Sequence, residues 1–411
     1  MSNVKHFPLI SRSKNTALKQ PKEISSFSRN IEGEYLQDDS SLSYYYLPDS
    51  DVGQDQIDLS AGFKDFIQFD PERDGEFTGL LKCIENYERS MDSKLKVDII
   101  SWRGIMTKLL ILPYENRNEI DLNIIRFDGQ IFIQSDKKLD LKRQEEEKAS
   151  QTDQLKKLTF SGYKFEVAST LSQPWAQSTR KEIETRRKRK VNNIEQYCSV
   201  VKTGIGKVKY CIGGEVDCVW DYKPSKEEEL ETNDDPLTHY VELKTSRILD
   251  QPGQVFNFEK KLFKTWAQCF LIGIRKVIYG FRDDNLILRS VEEYKTDEIP
   301  LLFKQNPLNQ QQQQQQHQKN PAKKAKHLNK CMDSLKFFGS LLEFIVDNIP
   351  DDETKAWRLS YHPNSNKDYL HLTQLDVLEA NELLNGENSI LTSDFKNWRK
   401  ELKEKINSTS N

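Results

Sequence analysis

Two short stretches, Gly213–Trp220 and Tyr240–Ser246, constrain this chain more than any others. Gly-Gly-Glu-Val-Asp-Cys-Val-Trp and Tyr-Val-Glu-Leu-Lys-Thr-Ser alternate polar with apolar residues and are rich in β-branched and aromatic types. That is the pattern of a strand with one apolar face. Side chains two apart on a strand share a face. Glu215 therefore points with Asp217, roughly 7 Å along the strand, and Glu242 points with Lys244. Val216, Cys218, Val241 and Leu243 take the opposite face. If the two strands pair, the three carboxylates and the ammonium converge on one face of a sheet.

Clustered carboxylates repel one another unless a proton or a cation intervenes. Carboxylate oxygen suits a hard divalent ion, Mg²⁺ or Mn²⁺. A lysine two residues from such a glutamate balances charge on a phosphate or orients a water. An acid followed by Glu-x-Lys on the next strand is the pattern of a large class of metal-dependent nucleases. The alternative is an exposed hairpin of solvated charges, which Glu-x-Lys alone does not exclude. The Gly-Gly-Glu-x-Asp partner adds two acids where a pair of metals would need them.

The rest of the composition excludes several classes. A length of 411 residues allows one large domain or two, and 36% hydrophobic residues suffice for a sizeable core. The net charge of −3 gives no global basic field, so any nucleic-acid site is a local patch. The six cysteines show no C-x-x-C spacing and read as reduced, buried thiols. No apolar run approaches the ~18 residues of a membrane span, and the N-terminus has no signal-peptide apolar region.

Along the chain, residues 1–60 read as an N-terminal arm packed on the domain, with extended strips at Thr16–Ile24 and Tyr44–Pro48. The three adjacent tyrosines either stack on bases or pack against the domain. Leu59–Asn86 predicts two amphipathic helices, around Phe63–Ile67 and Leu80–Ile84. Val97–Trp102 predicts a strand that resumes at Met106–Leu112, and Leu122–Gln134 a hairpin turning at Asp128-Gly129. Ser135–Lys157 reads as a charged surface loop. Phe160–Glu166 precedes a helix interrupted near Pro174, and Thr179–Asn192 predicts a second helix. Its basic run Arg186–Lys190 reads as an RNA-backbone contact, a nuclear address or a solvated face. Lys223–His239 is an acidic connection, and Gln254–Ile272 a helix with Lys261, Lys264 and Gln268 along one face. Lys276–Phe281 and Leu286–Val291 pair as strands. Residues 305–327, polyglutamine and then Lys/Ala-rich, read as a disordered insertion. Leu328–Ile349 predicts a long amphipathic helix.

Five motifs occur in order: Ser101-Trp102-Arg103-Gly104, Gly162-Tyr163-Lys164-Phe165-Glu166, Gly214-Glu215-Val216-Asp217, Glu242-Leu243-Lys244-Thr245 and Trp266-Ala267-Gln268. Together they resemble the motifs of the DXO-type decapping nucleases. Ala17–Ile24, the tyrosine run and Tyr279-Gly280-Phe281 resemble that family's fungal nuclear branch. The resemblance covers most of the chain and implies a single decapping nuclease domain over residues 1–411. The implied fold is mixed α/β: two mixed or antiparallel sheets with flanking helices around a deep catalytic pocket with a Glu-x-Lys nuclease-like core. The implied metal ligands are Glu166, Glu215, Asp217, Glu242 and the backbone carbonyl of Leu243. Lys244 and Gln268 match positions that hold the water or scissile phosphate, and Arg103 matches a position that contacts RNA near its 5′ end. Cys218 and the double glycine Gly213-Gly214 read as tolerated variation.

The function so implied is metal-dependent quality control of RNA 5′ ends in the nucleus. It comprises 5′-triphosphate pyrophosphohydrolysis, removal of incomplete caps and NAD caps, and stabilisation of the nuclear 5′→3′ exoribonuclease of the Rat/XRN family. The residues themselves carry only metal-assisted phosphoryl hydrolysis. Two other readings stay open: a cytoplasmic relative acting mainly as a distributive 5′→3′ exoribonuclease, and a non-catalytic subunit that braces the exoribonuclease. A DNA nuclease with the same Glu-x-Lys core would be marked by cleavage of internal duplex.

Overall fold

The computed structural model describes residues 4–14, 17–53, 57–70, 77–305 and 329–409. Among the described residues seventeen strands are formed: β1 Val4–Pro8, β2 Leu18–Arg29, β3 Tyr35–Leu36, β4 Tyr44–Tyr45, β5 Ile57–Asp58, β6 Ile99–Trp102, β7 Ile120–Phe127, β8 Gln130–Ser135, β9 Thr170–Leu171, β10 Gln196–Ile205, β11 Val208–Glu215, β12 Cys218–Val219, β13 Tyr240–Arg247, β14 Lys276–Arg282, β15 Ile287–Lys295, β16 Ala356–Tyr361 and β17 Tyr369–Gln374. The helices are α1 Asp49–Gly53, α2 Thr78–Met91, α3 Arg103–Ile111, α4 Lys137–Ser150, α5 Asp153–Ala168, α6 Arg180–Thr185, α7 Lys226–Thr232, α8 Pro252–Ile272, α9 Ile299–Gln305, α10 Lys330–Asn348, α11 Val377–Asn385 and α12 Ser393–Thr409.

The strands form two sheets. The first holds ten in the order β1-β17-β16-β7-β8-β6-β11-β10-β2-β3, and the second holds seven in the order β5-β15-β14-β13-β12-β4-β9. Both are mixed. β6 runs parallel to β8 and β11, and β13 runs parallel to β14, among antiparallel neighbours. Residues 4–58 supply five of the strands, divided between both sheets. Apolar side chains of α3, α8 and α10, among them Met106, Trp266 and Phe338, pack on one face of β10 and β11. Leu80 and Ile84 of α2 and Phe395 of α12 cover the other face. Phe165 of α5 joins Leu243, Ile278 and Leu288 in a third cluster on the second sheet.

The β7–β8 hairpin turns at Asp128-Gly129, both at positive φ (48° and 72°), as a two-residue turn between right-twisted strands requires. Several sequence expectations are corrected. Met106–Leu112 is not a strand: Ile105, Met106, Leu109 and Leu110 are buried on one side of α3 while Lys108 is exposed. A short apolar run does not distinguish the two conformations by itself. Ser135–Lys157 is not a loop. Asp136 caps α4 by accepting the Leu139 N–H at 3.1 Å, and good helix formers carry it without a single buried residue. Phe160–Glu166 lies inside α5, capped by Thr152, and does not precede the helix. The first of the two helices expected in Leu59–Asn86 is only a single 3₁₀ turn at Phe63–Asp65. The helix expected over Thr179–Asn192 ends as α helix at Thr185 and continues as one 3₁₀ turn, Arg186–Lys188. Thr16 and residues 306–328, with the polyglutamine tract, lie outside the described residues.

Candidate active site

The site forms where one run of chain leaves the first sheet and enters the second. β11 remains in the first sheet as far as Glu215, opposite Cys198 of β10. Val216 then donates its N–H to the Tyr197 carbonyl at 2.9 Å, and from Cys218 the chain pairs with Val241 of β13. The expectation that the acids share one sheet face is therefore corrected. β11 and β13 belong to different sheets, and their acids meet in the gap between them.

β13 supplies Glu242 and Lys244. Glu242 is 1% exposed, and each of its oxygens has a cation: Lys244 Nζ lies 2.5 Å from Oε1, and Arg103 Nη1 lies 3.0 Å from Oε2. Lys244 also sits 3.7 Å from Asp217 and donates to the Leu243 carbonyl at 3.2 Å. Asp217 accepts the Leu243 N–H at 2.6 Å. Glu166 comes from the last turn of α5. That helix can approach because β14 carries Gly280, where a Cβ would lie 2.6 Å from the Phe165 ring. Gln268 is half-buried on α8 and makes no side-chain hydrogen bond among the described residues. It precedes Cys269, whose thiol is pushed up by burial and by Glu242.

The electrostatics divide the acids. Burial, followed by Asp217 and Glu215, raises Glu166 well above the usual carboxylate range. Burial raises Glu215 although Arg103 opposes it, and raises Asp217 to about 7 although Lys244 opposes it. Glu242 is also pushed up by burial, but Arg103 and Lys244 more than offset this and hold it at about 2. Lys244 is raised by Glu242 and Asp217 against the effect of burial.

These residues fit a divalent cation. Four carboxylates, Glu242 buried and Glu166, Glu215 and Asp217 half-buried, face Arg103 and Lys244, and Glu166 and Glu215 have no side-chain hydrogen bond among the described residues. Burial is the main cause of their raised affinity for protons, and neighbouring carboxylates add to it; oxygen-seeking Mg²⁺ or Mn²⁺ relieves that repulsion. A separate group, Glu119, Asp121 and His362, brings its ligand atoms within 4.8 Å of one another, but Arg143 already pairs with both of its acids.

Beside Glu215 opens a cavity of about 390 Å³ whose lining includes Tyr35, Trp102, Lys108, Lys137 and Gln144. Lys137 and Gln144 belong to α4, so the segment expected to be a surface loop forms part of the wall. Sequence reasoning also missed the reason for the double glycine. Gly213 pairs with Trp102 in parallel register, and a Cβ there would lie 2.6 Å from the indole; at Gly214 a Cβ would lie 3.0 Å from the Arg103 stem. These glycines are steric requirements of the neighbouring Trp-Arg pair, not tolerated variation. Most of the basic run is structural: Arg186 and Arg187 pair with Asp51, and Arg189 donates to the carbonyls of Val167 and Thr170.

Residues 19–396 match the model of the family described as RAI1 like PD-(D/E)XK nuclease. The decapping nuclease RAI1 of Debaryomyces hansenii is 49% identical over 406 residues, which cover 96% of this chain and 98% of that protein. The crystal structure of Candida albicans Rai1 in complex with pU5 and Mn²⁺ superposes with a TM-score of 0.88 at 45% identity, covering 98% of this chain and 100% of the other. That of Scheffersomyces stipitis Rai1 in complex with (3'-NADP)+ and a calcium ion gives 0.84 at 46% identity, covering 97% and 100%.

Proposed function

Because the chain belongs to the RAI1-like family of PD-(D/E)XK nucleases, we propose that it releases pyrophosphate from 5′-triphosphate ends and removes incomplete caps and NAD caps from single-stranded RNA in the nucleus. It is a decapping nuclease, a hydrolase that uses a divalent cation. The observation that carries the substrate reading is the pairing of a buried carboxylate cluster with a half-exposed Lys244 beside a cavity edged by aromatic and basic residues. Relatives solved with pU5 and with (3'-NADP)+ support an RNA 5′ end and a dinucleotide-like cap as substrates.

Glu166, Glu215, Asp217, Glu242 and the Leu243 carbonyl are the proposed metal ligands. A bound divalent ion lowers the pKa of water from about 15.7 towards about 7 and offsets charge on the phosphoryl oxygens. Lys244, 31% exposed, turns from Glu242 towards the substrate phosphate and stabilises its added negative charge. The unengaged Gln268 amide orients the water or the scissile phosphate. Asp217, held by the Leu243 N–H and titrating near neutrality, is suited to releasing its proton as the site loads. A 5′-triphosphate end would release pyrophosphate and keep a 5′-monophosphate, and an incomplete or NAD cap would leave as an intact cap nucleotide.

We assign the chain a second role as a stoichiometric stabiliser of the nuclear 5′→3′ exoribonuclease. A recessed, charged pocket is a poor interface core, so this contact lies outside the site. Triphosphate, capped, NAD-capped and monophosphate RNAs are to be incubated with Mg²⁺ or Mn²⁺ and the products resolved. The reading expects pyrophosphate and intact caps; mononucleotides from monophosphate RNA alone would favour a distributive exoribonuclease. Co-purification with the exoribonuclease, unchanged in Asp217→Ala, tests the second role.

A further inference from the structure

The geometry points to Arg103 as a positioning residue for Glu242, a built-in counter-cation that keeps the acid cluster assembled when no metal is bound. The resemblance assigns this arginine to RNA, but its surroundings describe a group fixed in place. Arg103 begins α3, is 9% exposed and directs Nη1 at Glu242 Oε2 at 3.0 Å. Its stem lies flat over Gly214: a Cβ at that glycine would approach Arg103 Cβ and Cδ to 3.0 Å and Ile272 Cδ1 to 2.6 Å. The guanidinium reaches Glu242 across Gly214 of β11, with its stem fixed against a glycine that leaves just enough space for it.

The two cations on Glu242 then have different work. Lys244 is 31% exposed and lies within reach of two carboxylates, so it can exchange partners as substrate arrives. Arg103, with a side chain 10% exposed, makes its side-chain ion pair with Glu242. A planar, permanently charged fork suits a fixed pair better than a flexible ammonium. Removing one member of a buried ion pair leaves the other charge uncompensated, whereas removing both together is often neutral. The inference rests on the metal-site reading for the role of Glu242, but its test does not need the metal.

Thermal midpoints of the full-length protein in EDTA decide it. R103M is expected to lower the metal-free midpoint by about 5 °C or more, and R103M/E242Q to recover most of that loss because both charges are gone. R103K, which restores charge without the fork, is expected to fall between. Mn²⁺ is expected to raise the midpoint of R103M by more than it raises the wild type, since the ion replaces the missing counter-charge. If R103M does not fold, R103M/E242Q is still expected to fold. A wild-type midpoint for R103M, or a double variant no more stable than R103M, overturns the inference and returns Arg103 to RNA contact. If Mn²⁺ stabilises neither protein, the metal reading fails, while the metal-free midpoints still decide the role of Arg103.

Discussion

The Leu243 N–H donates to Asp217 Oδ2 at 2.6 Å. This bond fixes an acid from the crossing segment to the strand that carries Glu242 and Lys244. Asp217→Asn keeps an acceptor for that bond and removes one negative charge from a crowded cluster. The fold should persist, with metal-free stability unchanged or higher. Hydrolysis should fall by at least about 100-fold, since even groups that only orient metal ligands cost 10- to 100-fold. Product formation at saturating Mn²⁺ and a thermal scan in EDTA check both halves; full activity would remove Asp217 from the metal site.

The same residue sets a pH dependence. Asp217 titrates near about 7 in the metal-free fold, against about 3.9 in an unfolded chain. Between those values the folded state holds a proton that the unfolded state has released, so metal-free stability falls as pH rises through that window. Glu242, held at about 2, acts oppositely: its contribution is present above about 4.3 and is lost as pH falls through its folded value. Midpoints in EDTA from pH 4 to 8 should decline in the wild type and decline less in Asp217→Asn. Stabilisation by Mn²⁺ should grow over the same range, because loading the site releases the proton. Equal slopes for the two proteins would contradict the assignment.

Gly280→Ala should reach the site through packing. The new methyl would lie 2.6 Å from Phe165 and 2.9 Å from Leu288, both buried in the same apolar cluster. Overpacking of this kind costs about 1–3 kcal/mol. Because Phe165 precedes Glu166, displacement of α5 should also weaken Mn²⁺ affinity. Adding Phe165→Leu should restore stability in chemical denaturation. Unaltered stability and affinity in the single variant would show that α5 has more freedom than its contacts imply.

Arg399 tests the opposite separation. It is 1% exposed and donates to both oxygens of Glu88, itself 0% exposed, at 2.7 Å each, clamping α12 to α2. Arg399→Met should cost about 3–5 kcal/mol by leaving Glu88 unpaired. Turnover measured well below the unfolding transition should remain close to wild type, since none of the site residues touches this clamp. A matching loss of turnover in the folded protein would mean that α12 bears on catalysis.

How much of this was legible in the sequence depends on the range of the interaction. Strand alternation around Glu215, Asp217, Glu242 and Lys244 is local, so the candidates could be read from spacing, whereas their meeting across two sheets could not. The Asp128-Gly129 turn was legible for the same reason. The helix α4 was not: it buries nothing, and without an apolar stripe its only signals are the Asp136 cap and helix propensity. Glu166 was identified through its motif, but the motif did not reveal that α5 carries it. The pairing of Arg103 with Glu242 joins residues 139 positions apart, and the role of Gly214 appears only once that arginine lies across it. Local pattern carries no record of such contacts.

One run of chain, β11 to β12, is shared by two sheets. The proposed catalytic cluster is thus a seam and not a pocket within either half. A nascent or proteolysed chain with only one sheet in place holds some of the acids but never the set. On the proposed assignment, hydrolysis needs both sheets docked.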